Sequence, residues 1–170
     1  MLESFTEISP ELINDNTIKL IGSDWMLVTA GNKEEFNMMT AAWGGLGFLW
    51  KRPVAFIFVR PQRYTFRFTE KNQYFSLGFF TEKYREVLNY CGSHSGRDVD
   101  KALECNLTVL EEEKGTVYFE ESRLVLVCRK IYQDDISPGN FVDQELEKIY
   151  PKKDYHRMYI GEIEKCLVKG

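Results

Sequence analysis

Several common signatures are missing from this sequence, and each absence removes a class of protein. The four cysteines, Cys91, Cys105, Cys128 and Cys166, are widely spread and form no Cys-x-x-Cys pair. Neither a zinc site nor a disulfide framework is therefore indicated, and four reduced, mostly buried thiols in the cytoplasm are the expectation. No stretch approaches the roughly 20 apolar residues of a membrane span. The start, Met1-Leu2-Glu3-Ser4-Phe5, lacks the basic and apolar regions of a signal peptide. A net charge of −4 gives no electrostatic case for nucleic acid. Neither a P-loop nor a Gly-x-Gly-x-x-Gly spacing occurs, which excludes a Rossmann or nucleoside-triphosphate reading. The two histidines belong to no serine and carboxylate set with motif support, and Glu111-Glu112-Glu113 reads as a solvated run. No repeat, low-complexity segment or linker divides the chain, so one domain is expected over residues 1–170.

What is present is aromatic and β-forming. Aromatic residues make up 14% of the 170 and hydrophobic residues 44%, enough for a sizeable core without staples. Trp25 to Ala30 is an apolar, β-rich run closed by Gly31-Asn32, and Phe36 onward is a second strand, so the two predict a hairpin. Arg52-Pro53 reads as a break before Val54 to Val59, whose unbroken apolarity predicts burial on both faces. Residues 62–71 predict a short helix, Tyr74 to Phe79 a strand. Thr81 predicts a helix cap, with Tyr84, Val87, Leu88 and Cys91 on one face and Gly92 as the stop. On that face Cys91 reads as core. Asp98 is expected to cap a helix over Val99 to Glu104. Arg123 to Tyr132 and Arg157 to Val168 predict long strands, with a surface excursion from Asp134 to Tyr150 between them. Strands dominate, helices are few and inserted, and the spacing suits an antiparallel barrel.

Three stretches can carry chemistry. In Phe36-Asn37-Met38-Met39-Thr40-Ala41-Ala42-Trp43-Gly44-Gly45, a strand opens into a glycine-bearing loop. Asn37 and Thr40 supply polar edges, while Met38, Met39, Ala41 and Ala42 leave room for a flat apolar ring. An ordinary buried strand with internally bonded Asn and Thr fits the same residues. Arg60-Pro61-Gln62-Arg63-Tyr64-Thr65 runs from a strand end into a helix start, where free N–H groups, a guanidinium and a hydroxyl suit a phosphate. Ser93 to Lys101 repeats that pattern, with Ser95, Arg97 and Lys101 as its polar and basic groups. His156 stands just before the final strand as either a structural or a catalytic histidine.

Taken in order, Asn37-x-x-Thr40-x-Ala42-Trp43, the buried strand to Pro61, Arg63-x-Thr65, Ser95-Gly96-Arg97-Asp98-Val99-Asp100-Lys101 and His156-x-x-Tyr159-Ile160-Gly161-Glu162-Ile163 resemble the flavin reductase-like family. The resemblance runs from about Trp25 to Val168. It implies the FMN-binding split β-barrel, mainly β with inserted helices, and places Asn37, Met38, Met39, Thr40, Ala41, Ala42 and Trp43 beside the flavin ring and ribityl chain. It implies that Arg63 and Thr65, together with Ser95, Arg97 and Lys101 and flanked by Arg60 and Tyr64, lie about the phosphate, and that His156 lies near the docked nicotinamide. It also implies a homodimer with flavin near the subunit boundary. The function implied is hydride transfer from NADH or NADPH to flavin. A flavoredoxin-type carrier with tightly held FMN and a protein redox partner is the alternative, and a flavin-binding barrel without turnover a third. The excursion after Asp134 and Trp50-Lys51 depart from the plainest members.

Overall fold

The computed structural model describes residues 4–170. Met1, Leu2 and Glu3, read above for a leader, lie outside them. The strands are β1 Phe5–Ile8, β2 Met26–Gly31, β3 Phe36–Ala41, β4 Gly44–Leu49, β5 Arg52–Val59, β6 Tyr74–Phe79, β7 Val109–Glu112, β8 Thr116–Phe119, β9 Leu124–Asp135 and β10 Arg157–Lys169. The α-helical segments are short: α1 Thr17–Lys19, α2 Thr65–Lys71, α3 Arg85–Ser93 and α4 Lys101–Glu104.

One antiparallel sheet runs in the order β3-β2-β6-β9-β10-β5-β4, with β1 also paired to β10. Laid flat, seven strands would hold β3 and β4 about 29 Å apart. Yet only Ala42 and Trp43 separate those strands in sequence, and the steps from Ala41 to Gly44 reach at most about 11 Å. The sheet must therefore curl until its edges meet. Among the described residues β3 and β4 share no ladder, so the closure is a seam. This is the expected antiparallel split barrel.

Alternation along the strands builds a barrel core and a second core on the outer face, besides a small cluster of Val125, Val127 and Leu167. Met26, Val28, Ala30, Met39, Ile57, Phe75, Leu77, Leu126 and Tyr159 fill the barrel, and Phe68 of α2 packs with them. Side chains of this kind each contribute about 1.5–3 kcal/mol when fully buried. Leu27 and Met38 point the other way and pack with Leu88 and Cys91 of α3, Ala102 of α4 and Phe119 of β8. The Thr40 hydroxyl donates to the Leu88 carbonyl at 2.5 Å, fixing α3 on the outer face of β3.

The β2–β3 hairpin forms as expected, with Val28 opposite Met39. Tyr74–Phe79, β9 and β10 also lie where the alternation puts them. Other expectations need correction. The glycine-bearing stretch after Trp43 is strand β4, paired to β5 with Gly45 opposite Phe56. The Phe56 ring lies over Gly45 and Gly47, supplying the apolar cover their missing side chains leave. A Cβ on Gly44 would stand 2.5 Å from the Phe56 carbonyl oxygen, so this close approach needs glycine. Arg52-Pro53 starts β5 instead of breaking before it, at a strand end where proline's missing donor is tolerated. Trp50 and Lys51 form the two-residue turn ahead of it, both at positive φ (51° and 61°). Phe56 and Phe58 are only half-buried, so β5 has one fully buried face.

Thr81 precedes a 3-10 turn, Glu82–Tyr84, and makes no side-chain cap bond. Gly92 lies inside α3, pressed against Thr40, instead of ending the helix. Asp100 caps α4 by accepting from the Leu103 N–H at 3.1 Å, so the Asp98 cap and the helix from Val99 do not form. β9 extends to Asp135, and the excursion then proceeds in 3-10 turns at Pro138–Asn140 and Gln144–Ile149. Within the supposedly solvated acidic run, Glu112 is buried and ion-paired to Lys165 at 2.5 Å.

Candidate functional site

The site lies along the seam. Where β3 ends, Met39, Thr40, Ala41, Ala42 and Trp43 form one side of a cleft of about 330 Å³, and Phe58, Arg60, Arg63 and His156 form the other. Ala41 and Ala42 keep the floor low. Trp43 is half exposed, and its ring stands 5.3 Å from His156 at a 55° tilt.

A second pocket of about 230 Å³ adjoins the first, and the Arg63 side chain lines both. It brings together parts of the two segments read for phosphate, residues 62–65 of the first and residues 93–97 and Lys101 of the second, with Asn37 and Gly92. The junction is tight because residue 96 is glycine: a Cβ there would fall 2.0 Å from the Asn37 amide oxygen. Buried Asn37 donates from Nδ2 to the Thr65 hydroxyl at 2.8 Å, tying β3 to α2 beneath that loop. Ser95 accepts from the Arg97 N–H at 3.2 Å, and the Arg97 guanidinium donates to the Gln62 carbonyl while lying 5.0 Å over the Tyr64 ring.

The electrostatics are lopsided. Arg63, Arg97 and Lys101 converge, and among the described residues none of them has a carboxylate partner. Lys101 is buried, with Nζ donating to the carbonyls of Cys91 (3.1 Å) and His94 (3.2 Å) at the end of α3. Burial, aided by the Arg63 charge, pushes the Lys101 ammonium down to about 8. Burial lowers the Arg63 guanidinium as well. Such a cluster of cations is costly in an empty protein and is offset by a bound anion. Helix starts contribute less here than expected, because α2 has seven residues and α4 four. Their dipoles are small, and the side-chain cations carry the field.

Not every expected residue faces a cleft in the same way. Met38 turns into the second core. Asn37 lines the second pocket instead of the cleft beside Trp43, and Tyr64 and Thr65 accompany it. Arg60 walls the ring cleft, but Asp154 neutralises it at 3.0 Å and the Ile149 carbonyl takes a second bond. His156 is buried, with Nδ1 2.7 Å from the Tyr150 hydroxyl. Burial, then the Arg60 charge, pushes it down to about 4 against the pull of Asp154. Sequence reasoning missed Phe58 and Tyr150. The alternation of β5 could have exposed the first; nothing local signals the second. Cys91 is buried with its thiol pushed up to about 12 by burial, and so is core, as read.

Residues 19–170 match the flavin reductase like domain family. Among solved structures, an FMN-binding domain of a flavin reductases-like enzyme from Shewanella baltica aligns with a TM-score of 0.71 and 19% identity, covering 99% of this chain and 79% of that one. Flavoredoxin from Methanosarcina acetivorans gives 0.66 and 24%, covering 84% and 67%. An NADH:FAD oxidoreductase from Streptomyces globisporus, in complex with NAD and FAD fragments, gives 0.62 and 16%, covering 84% and 73%. No curated protein matches the sequence. Among the described residues no group of side chains is arranged to hold a metal, and no helix is long and apolar enough to cross a membrane.

Proposed function

This chain belongs to the flavin reductase-like domain family, and on that premise we propose that it is an NAD(P)H-dependent flavin oxidoreductase that holds FMN. One observation carries the reading: three cations without carboxylate partners among the described residues, Arg63, Arg97 and Lys101, stand beside a cleft floored by small apolar residues. A phosphate monoester carries nearly two negative charges and several acceptor oxygens, which suits that cluster. A flat heteroaromatic ring suits Ala41, Ala42 and Met39. Arg63, which lines both pockets, stands where the polar tail of such a ligand would join its ring.

Bound there, the flavin supplies the hydride chemistry. The chain's own part is placement and electrostatics. Arg63, Arg97, Lys101, Thr65 and Ser95 hold the phosphate, while Asn37 braces the loop that carries Ser95. Thr40, Ala41, Ala42 and Trp43 bound the ring. His156, neutral and lining the same cleft, serves the incoming NADH or NADPH. Trp43, Phe48 and Trp50 are exposed along the seam and β4, and a second copy of the chain covers them in a homodimer. The free thiols fit a reducing compartment, the cytoplasm.

The test is the spectrum of the purified protein, followed by anaerobic NADH and NADPH. A yellow protein, or one that quenches FMN fluorescence on titration and is bleached by either nucleotide, is the expected outcome. A colourless protein that leaves FMN fluorescence unchanged would overturn the flavin reading. A flavoredoxin-type carrier is the second reading, in which the exposed aromatics beside the ring cleft meet a protein redox partner instead of a second copy of the chain. It would be yellow, inert to both nucleotides and reducible by dithionite.

A further inference from the structure

Residues 136–155 are exposed over most of their length, with Tyr150 buried among them. Its ring packs 4.9 Å from Tyr155 and 6.1 Å from Phe141, under the Arg60 guanidinium at 5.0 Å. Its hydroxyl meets His156 Nδ1 at 2.7 Å. The polar and charged groups around the histidine are Tyr150, Arg60 and Asp154, with Arg63 across the cleft. Among the described residues Nε2 has no protein partner, and the Tyr150 hydroxyl has no other acceptor.

A neutral imidazole carries one N–H, and there are two places for it. If Nδ1 held the proton, the buried phenol would accept it and its own proton would have no acceptor. If Nε2 holds the proton, the phenol donates to Nδ1 and both partners of that bond are satisfied. The second arrangement leaves an N–H donor as the ring's only free polar group in the ring cleft.

We propose that Tyr150 is a positioning residue that holds His156 as its neutral Nε2–H tautomer, giving the cleft a fixed hydrogen-bond donor for a carbonyl-type oxygen such as a nicotinamide carboxamide. The ligand part of this rests on the oxidoreductase reading; the tautomer does not. Burial and Arg60 keep the ring neutral near pH 7, so the donor persists without adding positive charge beside Arg60 and Arg63.

The chain has two histidines, so nitrogen-15 spectra of the labelled protein are simple, with His94→Gln assigning the other. Without flavin or nucleotide, His156 is expected to carry its proton on Nε2. In Tyr150→Phe the Nδ1–H form should become populated. A wild-type proton on Nδ1 overturns the proposal, as does an unchanged tautomer in Tyr150→Phe. These readings survive even if neither nucleotide reduces the protein. Two further variants, His156→Gln and His156→Asn, guard against a Tyr150→Phe chain that fails to fold. A glutamine amide can reach the Nε2 position and an asparagine amide that of Nδ1. Anaerobic flavin reduction by NADH should remain within about tenfold of wild type in the glutamine variant and fall about a hundredfold in the asparagine variant. Equal losses in both would overturn the donor role, while a wild type inert to NADH and NADPH would instead sink the reductase reading and leave the tautomer to the spectra.

Discussion

Replacing Arg63 by alanine should weaken FMN binding while leaving the flavin-free fold as stable as before, or more so. Both effects trace to the guanidinium's position. It is half-buried between two pockets, has no carboxylate partner among the described residues, and is lowered by burial. The empty protein therefore bears a desolvation cost that the variant escapes, minus the packing of the side-chain stem. With FMN bound, the same group makes a charge-assisted hydrogen bond worth about 1.5–3 kcal/mol. At 1.4 kcal/mol per decade, affinity should fall about 10- to 150-fold. Riboflavin has no phosphate and should bind both proteins alike. Fluorescence titration with both ligands measures the first effect, and thermal melting of the stripped protein the second. Equal losses for FMN and riboflavin would refute the phosphate role. A melting point lowered by several degrees would show that Arg63 is a structural residue whose partners lie in the fold.

Lys101 should reveal itself through pH. Its folded value, about 8, lies below the ordinary 10.5, so the flavin-free protein gains stability from this group as pH rises between those values. Phosphate favours the ammonium, so FMN affinity should drop as pH climbs past about 8 while riboflavin affinity stays level; a level FMN curve would exclude Lys101 from the phosphate. Gly96→Ala puts a Cβ 2.0 Å from the Asn37 amide oxygen; overpacking of about 1–3 kcal/mol at about 2–4 °C per kcal/mol for this length should be visible in a melting curve, together with weaker FMN binding. Phe48→Asp on the exposed face of β4 should turn a dimer into a monomer by light scattering; an unchanged mass would place the interface elsewhere.

Much of the barrel was legible because its strands carry their burial pattern locally. Val28 and Met39 face each other across a hairpin whose turn residues, Gly31 and Asn32, are visible in the sequence. The two segments read for phosphate are visible in the sequence only as separate weak signals. Their meeting through Gly96, Asn37 and Thr65 is a fact of three-dimensional packing. β4 was hidden because glycine argues against a strand until Phe56, eleven residues beyond Gly45, is known to cover it. Gly92 misled for the opposite reason: its small size serves contact with Thr40 and not the end of a helix. Glu112 looked solvated until Lys165, far along the chain, arrived beside it.

The excursion departs from Asp135 and returns at Arg157, residues that are direct partners across β9 and β10 and share an ion pair of 2.6 Å. Its two ends thus meet at one point on the barrel, and the ladder on either side does not depend on what lies between. Lengthening such a closed segment costs little, about 0.6 kcal/mol for each doubling. Meanwhile its inner end supplies Asp154 and Tyr150 to Arg60 and His156. The barrel is in effect a socket and this segment a replaceable cap. A different sequence grafted between Asp135 and Arg157 should change the wall around Arg60 and His156 while leaving the β9–β10 ladder as it is.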